Sequence, residues 1–307
     1  MSIETGRLAT RRVRHPQFEI AAAKPPGTGY ILIDLAELLI FAVIAGLVGS
    51  LMGLGGAAIT TPVLVYFGVP IKFAIAASMV AIIATSSGSA SSYVKDRLSN
   101  VRAAFFLEIF TALGAIVGAF ITSLIAPALL YFFFAGFLLT SFIALSSRFR
   151  KNEPRRREQD RAARWLKLEG SYYDKPRGEE VKYKLSRPLI AAPGMFVAGL
   201  AAGMLGIGGG AFKVSIHELI LGMPPKVSTA TSNFIIGMTA LAGASVYFSS
   251  GLLYLDLAAP LAVGTTVGAI VGARILPRMR NETVRLLFFV VLIVIILEML
   301  YKGVVAL

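Results

Sequence analysis

The 307-residue chain has no cysteine and only two histidines, His15 and His217. The first absence excludes disulfide bonds, a thiolate nucleophile and metal sites built from cysteine. Two histidines so far apart in the sequence do not suggest a zinc site, which needs at least three protein ligands. The chain also lacks a Gly-x-x-x-x-Gly-Lys-Ser/Thr loop, the phosphate-binding loop of ATP-driven pumps. We therefore predict no cofactor, no metal and no catalytic residues.

Charge is also scarce, since only 15% of the residues are charged, 56% are hydrophobic and the mean hydropathy is +0.74. Soluble domains carry about 25% charged residues. Windows of about 20 apolar residues, long enough to cross a bilayer as a helix, lie at 31–51, 73–93, 103–125, 128–147, 189–207, 227–248, 256–276 and 284–301. Two shorter apolar pieces, 57–69 and 211–222, either cross or re-enter. The composition predicts an all-α polytopic protein of the inner cell membrane, with the lipid bilayer as a partner.

The chain nevertheless carries a net charge of +13, and much of it lies in one hydrophilic segment. Residues 148–187 contain fourteen Lys and Arg against seven Asp and Glu. A basic loop between apolar halves is typical of the cytoplasmic side, and no nucleic-acid-binding motif accompanies it. We therefore predict no nucleic-acid partner.

These features divide the chain into four parts. They are a basic N-terminal arm (1–30), a first transmembrane repeat (31–147), a basic cytoplasmic linker (148–187) and a second transmembrane repeat (188–307). We interpret the linker as a solvated connection with a turn at 174–178, and the alternative for segment 155–167 is a short helix on the inner surface.

The two apolar halves are copies of one internal sequence repeat. Gly-Leu-Gly-Gly at 53–56 corresponds to Gly-Ile-Gly-Gly at 206–209. After one inserted residue the correspondence continues, pairing Lys72 with Lys226, Ser78 with Ser232, Tyr93 with Tyr247, Thr111 with Thr265 and Gly114 with Gly268. A single duplication within hydrophobic sequence is typical of secondary transporters.

Loop charges predict that the repeats cross the membrane in opposite directions. The loop 94–102 is basic, whereas its counterpart 248–256 has no Lys or Arg. The uncharged connection 125–128 corresponds instead to the strongly basic 277–285. Because short basic loops face the cytoplasm, equivalent loops lie on opposite sides. This inverted topology follows if the glycine-containing region of each repeat forms a helical hairpin or a broken helix. The side of the N-terminal arm stays open.

Matched glycine clusters interrupt one hydrophobic segment in each repeat. Gly55 and Gly56 in the first repeat, and Gly208, Gly209 and Gly210 in the second, allow the backbone to unwind. In a bilayer such backbone is tolerated only where protein buries it or where it lines a watery cavity. The freed N–H groups at the start of the next half-helix attract anions. We predict that these glycines border one central anion site; the alternative is close helix packing.

Three motifs carry a family resemblance. They are Gly-Leu-Gly-Gly-Ala-Ala-Ile-Thr-Thr-Pro at 53–62, Gly-Ile-Gly-Gly-Gly at 206–210 and Lys-Val-Ser-Thr-Ala-Thr-Ser-Asn at 226–233. They resemble the repeat motifs of the TauE/SafE sulfite exporter family, over about residues 38–303. The resemblance implies a permease for small, often sulfur-containing anions such as sulfite or sulfonates. The second copy departs from the first, with Ser215 in place of Pro62.

Polar residues near the breaks complete the predicted substrate site. They are Thr60, Ser78, Lys213, Thr231, Ser232 and Asn233. Lys213 follows Gly210 by three positions, and a lysine at membrane depth needs a counter-charge, for which Glu108 and Glu218 are candidates. His217 shares a helical face with Lys213, and we expect Glu108, His217 and Glu218 to serve a coupling or relay role. The alternative for Lys213 is snorkelling to an aqueous surface.

We predict a secondary transporter, acting as an exporter, that moves a small, sulfur-containing anion by alternating access. The alternatives are a passive anion channel, a non-transporting scaffold and an intramembrane enzyme that uses His217 and Glu218. The enzyme is disfavoured because His-Glu-Leu-Ile-Leu at 217–221 lacks the second histidine of a zinc protease helix. The anion, the coupling ion and a homodimeric state stay open.

Overall fold

The apolar windows of the sequence form helices. A computed structural model describes residues 35–52, 56–146, 159–174, 178–279 and 281–305. The first half contains α1 (Leu35–Met52), α2 (Ala57–Tyr66), α3 (Ile71–Lys95), α4 (Val101–Leu124) and α5 (Pro127–Ser146). The linker contributes α6 (Arg161–Trp165), β1 (Glu169–Asp174) and β2 (Glu179–Lys184). The second half contains α7 (Pro188–Leu205), α8 (Gly210–Leu219), α9 (Pro225–Ser249), α10 (Leu255–Ile275) and α11 (Asn281–Val305).

The helices confirm the predicted all-α polytopic membrane fold. Four of the described helices are long and apolar enough to cross a bilayer, namely α3, α4, α7 and α10. Their outer faces are apolar: on α4, Ile109, Leu113 and Phe120 are exposed along one helical stripe. The opposite face of α4 buries Glu108 and Thr111. An exposed apolar face and a buried polar face suit a helix that faces lipid on one side and the protein interior on the other.

Equivalent contacts join the two halves. Helix α1 packs against α10 and α4 packs against α7, while α3 and α9 pack together between them. Gly46 lies against the backbone of Thr265, and its counterpart Gly199 lies against the backbone of Thr111. A Cβ atom at either glycine would overlap that backbone, so these glycines serve close helix packing.

The central helices are tied to the broken segments in the same way in both halves. The Tyr93 hydroxyl donates to the Ser50 carbonyl oxygen at 3.0 Å, and the Tyr247 hydroxyl donates to the Gly203 carbonyl oxygen at 2.6 Å. Both tyrosines are fully buried. The sequence repeat is therefore also a repeat of contacts, while the opposite membrane orientation of its two copies stays a prediction.

The linker contains more regular structure than the sequence analysis expected. Strands β1 and β2 pair antiparallel, with Glu169 opposite Lys184 and Asp174 opposite Glu179. The Gly178 N–H donates to the Asp174 carbonyl at 2.8 Å, at the two ends of the predicted turn, whose residues 175–177 lie outside the described part. The alternative of a short helix within 155–167 is present as α6, and residues 155–158 lie outside the described part.

The hairpin is not solvated along its whole length. Its carboxylate Asp174 is buried and lies 2.8 Å from Nζ of Lys226, in the first turn of α9. Asn100 donates from Nδ2 to the Tyr183 hydroxyl at 3.3 Å, and burial raises the pKa of Tyr183. The ion pair and the partly buried Tyr183 dock the hairpin onto the transmembrane helices, which local turn signals do not reveal.

Candidate functional site

Glycines break the helical chain where the sequence predicts. Helix α7 ends at Leu205, and Gly206, Gly208 and Gly209 all have φ between 64° and 68° before α8 begins. In the first half Gly56 has φ 75° and precedes α2, whereas Gly55 lies outside the described residues. L-residues with side chains avoid these left-handed conformations.

Each short helix starts beside the middle of the helix that precedes it. Gly209 lies against the carbonyl of Ala198 in α7, and Gly56 lies against the carbonyl of Ala45 in α1. The chain therefore turns back after each break. In the described part of the chain no side chain caps the N-terminus of α2 or α8, so no described capping residue neutralises the positive end of either helix dipole.

A cluster of polar side chains lies one turn into α8. The Lys213 side chain is fully buried, and its Nζ donates to Oγ1 of Thr239 in α9 at 2.7 Å. The Thr239 hydroxyl lies 2.9 Å from Oε2 of Glu108 in α4, and the Thr111 hydroxyl donates to the same oxygen at 2.6 Å. We call these four residues the charged cluster. Glu108, rather than Glu218, is the carboxylate that compensates Lys213.

Several atoms in and beside the charged cluster have unused hydrogen-bonding capacity. The buried Oε1 of Glu108 has no partner among the described residues. The Lys213 ammonium uses one of its three N–H donors there. His217, one turn further along α8, is fully buried, and neither ring nitrogen has a partner in the described part of the chain. Glu218 is only partly buried and lies outside the cluster.

The equivalent place in the first half is neutral. Thr60 in α2 occupies the position that corresponds to Lys213, and its hydroxyl donates to Oγ of Ser78 at 3.0 Å. Both side chains are buried. A small, mainly apolar crevice reaches Thr60, with walls formed by Leu38, Phe41, Ala42, Ala45, Val63, Leu64 and Leu261.

The predicted polar residues of α9 fall into separate contacts. Thr231 accepts from the Asn100 N–H at 3.0 Å, at the cytoplasmic loop predicted from its charge. Asn233 donates from Nδ2 to the Ser50 carbonyl at 2.9 Å, close to the first break, and its buried Oδ1 has no partner among the described residues. Ser232 is fully buried. Only Lys213 and Glu108, of the predicted residues, join the charged cluster.

Sequence reasoning missed Thr239 and Thr111 as site residues. Thr111 follows Glu108 by three positions, which places its hydroxyl on the same helical face as the carboxylate. Thr239 corresponds to Thr85, so a buried hydroxyl stands at this position in both repeats. Helical spacing could have found Thr111, but the approach of α9 to α4 and α8 is a tertiary contact.

The family model described as sulfite exporter TauE/SafE matches residues 38–299, which include both breaks and the charged cluster. The chain belongs to the TauE/SafE family. The resemblance expected from the repeat motifs is thereby confirmed.

Curated relatives of this TauE/SafE chain are named as transporters. Probable membrane transporter protein YunE of Bacillus subtilis is 28% identical over 275 residues, covering 87% of this chain and 97% of the relative. Probable membrane transporter protein YdhB of the same organism is 26% identical, with 75% and 85% covered. A probable membrane transporter protein of Methanocaldococcus jannaschii is 25% identical, with 80% and 90% covered. No solved structure gives a significant match. The protein is a transmembrane transporter of the TauE/SafE family.

Proposed function

We propose that the protein is a secondary transporter that exports a small, sulfur-containing anion by alternating access, and that the charged cluster binds this anion. The observation that carries the proposal is the burial of Lys213. Its ammonium is inaccessible, yet among the described residues it donates only to Thr239. A buried cation with two unused donors is suited to bind an oxyanion.

The energetic cost of the arrangement supports a functional role. A buried charge at membrane depth is expensive and persists when another charge compensates it. Glu108 compensates Lys213 through the Thr239 hydroxyl rather than by direct contact. This leaves the ammonium able to take a second anionic partner, which a close, bidentate ion pair would not allow.

The position of Lys213 in α8 also favours an anion. Helix N-termini carry a partial positive charge, and the first N–H groups have no partner within the helix. Helix α8 begins at Gly210, so Lys213 adds a full charge within its first turn. An anion near this turn would interact with both.

Alternating access finds support in the paired breaks. Two short helices, α2 and α8, each turn back against a longer helix of the same repeat. Paired discontinuous helices in two repeats are typical of secondary transporters that move around a central site. The family description, sulfite exporter, supports a sulfur-containing substrate.

Thermal unfolding of the purified protein tests the proposal, because a ligand of the native state raises apparent stability. The candidates are sulfite, sulfate, thiosulfate, sulfoacetate, taurine and simple carboxylates. We expect one of the sulfur-containing anions to raise Tm in the wild type and in Lys226→Met, but not in Lys213→Met. Lys226 is the matched control, since it is a buried lysine whose partner is Asp174.

Two outcomes would contradict the proposal. An equal rise of Tm in Lys213→Met and the wild type would show that the anion does not bind at the charged cluster. If no anion raised Tm, the predicted substrate class would be ruled out. Flux in proteoliposomes then separates a transporter from a passive channel, because transporter flux saturates with anion concentration.

A further inference from the structure

The charged cluster contains one cation, Lys213, and one carboxylate, Glu108. No other charged group of the described helices is placed to compensate a further charge at this site. Helix α7, which packs along α4, has no ionisable side chain. On α8, His217 lies one turn from Lys213, and Glu218 lies outside the cluster. The other ionisable groups of α3 and α9 are engaged elsewhere or exposed: Lys226 with Asp174, Tyr247 with the Gly203 carbonyl, Lys72 with the Ser123 carbonyl, Tyr93 with the Ser50 carbonyl, and Lys95 at the surface. On α4 itself, Arg102 is exposed.

An anion bound to Lys213 would upset this balance. At least two negative charges would then share one buried ammonium, and like charges in a low-dielectric site disfavour the ionised form of a carboxyl group. Uptake of one proton by the carboxylate reduces this excess of negative charge by one. We propose that Glu108 takes up this proton when the anion binds Lys213, so that the anion and a proton are transported together; this rests on the proposed function.

The hydroxyl that bridges the cluster can serve both protonation states. While Glu108 is ionised, the Thr239 hydroxyl donates to its Oε2 at 2.9 Å and accepts from Lys213. The Ile235 carbonyl oxygen lies 3.1 Å from the same hydroxyl and offers a second acceptor. Thr239 can therefore turn its proton to Ile235 and leave Oε2 without breaking its bond to Lys213.

The oxygen of Glu108 that lacks a described partner, Oε1, is the atom on which a proton would assist anion binding. Both threonine hydroxyls contact Oε2, whereas Oε1 is buried and has no partner among the described residues. A proton on Oε1 turns this atom from an acceptor, which repels an anion, into a donor that can bind one. Lys213 and the protonated carboxyl would then donate to the same anion.

The ratio of one proton per anion also bears on the direction of transport. A divalent anion that travels with one proton still carries one negative charge. An inside-negative membrane potential drives such a complex outward, which agrees with export.

The test is proton uptake by the purified full-length protein in weak buffer with a pH indicator. Thiosulfate and sulfoacetate are the probes, because neither takes up a proton near neutral pH. We expect wild-type protein to take up one proton per bound anion, and its Kd to weaken up to about tenfold per pH unit over the alkaline range. Glu108→Gln should bind without proton uptake and with a Kd that does not change with pH.

Glu298→Gln is the matched control, since Glu298 is another glutamate of a membrane helix, α11, with a buried oxygen that lacks a partner in the described residues. It should retain proton uptake. Anion binding by the wild type without proton uptake would overturn the inference, and this measurement does not depend on the folding of any variant. Uptake that persists in Glu108→Gln would also overturn it. Failure of every anion to bind would instead overturn the proposed function.

Discussion

The two glycine breaks share a backbone arrangement and differ in chemistry. Gly56 and Gly209 both adopt left-handed φ values and both lie against the preceding helix. Around the first break the buried polar side chains are neutral, as in the pair Thr60–Ser78. Around the second, Lys213 and Glu108 add a cation and a carboxylate.

The sequence repeat shows how this difference is built. Lys213 corresponds to Thr60, and Glu108 corresponds to Ala262. The hydroxyls are kept in both halves, since Thr239 corresponds to Thr85 and Thr111 to Thr265. The charges, one from each half, are thus present together at the second break and absent together from the first, as expected if a single buried charge is too costly. One anion site per chain, rather than two, agrees with this asymmetry.

The largest expected effect is on anion binding when the second break is made as neutral as the first. Lys213→Thr introduces the residue of the first repeat and removes the only cation of the cluster. We expect the Kd for the stabilising anion to rise on the order of 100-fold, as when one member of a buried charged contact is lost. Thr60→Val, at the equivalent position, removes a neutral hydrogen bond, and we expect about tenfold or less. Titration calorimetry on both variants measures the difference, and similar losses would mean that the two breaks contribute alike.

The next effect is on the free energy of unfolding, and it distinguishes the contribution of the two buried charges from that of the surrounding helices. Glu108→Ala leaves Lys213 buried without compensation, so the free energy of unfolding should fall by about 3–5 kcal/mol. The double variant Lys213→Thr/Glu108→Ala copies the neutral residues at the first break, and it should regain most of this loss. Denaturant unfolding of the two variants in detergent gives the comparison. Additive losses in the double variant would show that the charges do not act as a pair.

Substituting alanine for a glycine of either break should lower Tm, and the loss should be larger where the added Cβ atom meets closer neighbours. An added Cβ at Gly209 would lie 2.5 Å from the Ala198 carbonyl oxygen, whereas at Gly56 the nearest atom, the Ala45 carbonyl oxygen, lies at 3.1 Å. Left-handed φ costs an alanine about 1–2 kcal/mol at either site. Gly209→Ala should therefore lower Tm more than Gly56→Ala. The reverse order would indicate that the first break is the more tightly packed.

Local sequence features predicted the scaffold better than the site. Runs of apolar residues gave the long helices, and the glycine clusters gave both breaks, because hydropathy and left-handed backbone are local properties. Lys213 and Glu108 were recognisable because charge is rare in membrane helices. Thr239 was not, since its role depends on how α9 packs between α4 and α8. The hairpin was missed for a similar reason, because Asp174 finds its partner Lys226 in another part of the chain.

A smaller effect is expected at the linker, where the halves also differ. Lys226 pairs with Asp174 of the hairpin, whereas its counterpart Lys72 donates to the Ser123 carbonyl at 3.1 Å. Asp174→Asn should loosen the docked hairpin by about 2 kcal/mol, the contribution of a hydrogen bond between charged groups. Trypsin should then cleave the linker faster in Asp174→Asn, while Lys72→Met leaves cleavage unchanged. Unchanged cleavage in Asp174→Asn would mean that the ion pair does not hold the hairpin.

The smallest perturbation tests the orientation of the repeats and should leave transport intact. Because the chain has no cysteine, single cysteines can be labelled without background. Asp96 and Ser250 occupy equivalent positions after α3 and at the end of α9, and Asp96 is exposed. We expect a membrane-impermeant maleimide to label Asp96→Cys from the cytoplasmic side and Ser250→Cys from the opposite side, because only the first loop is basic. Labelling of both from one side would give the repeats a parallel orientation, and the charged and neutral breaks would then open toward the same compartment.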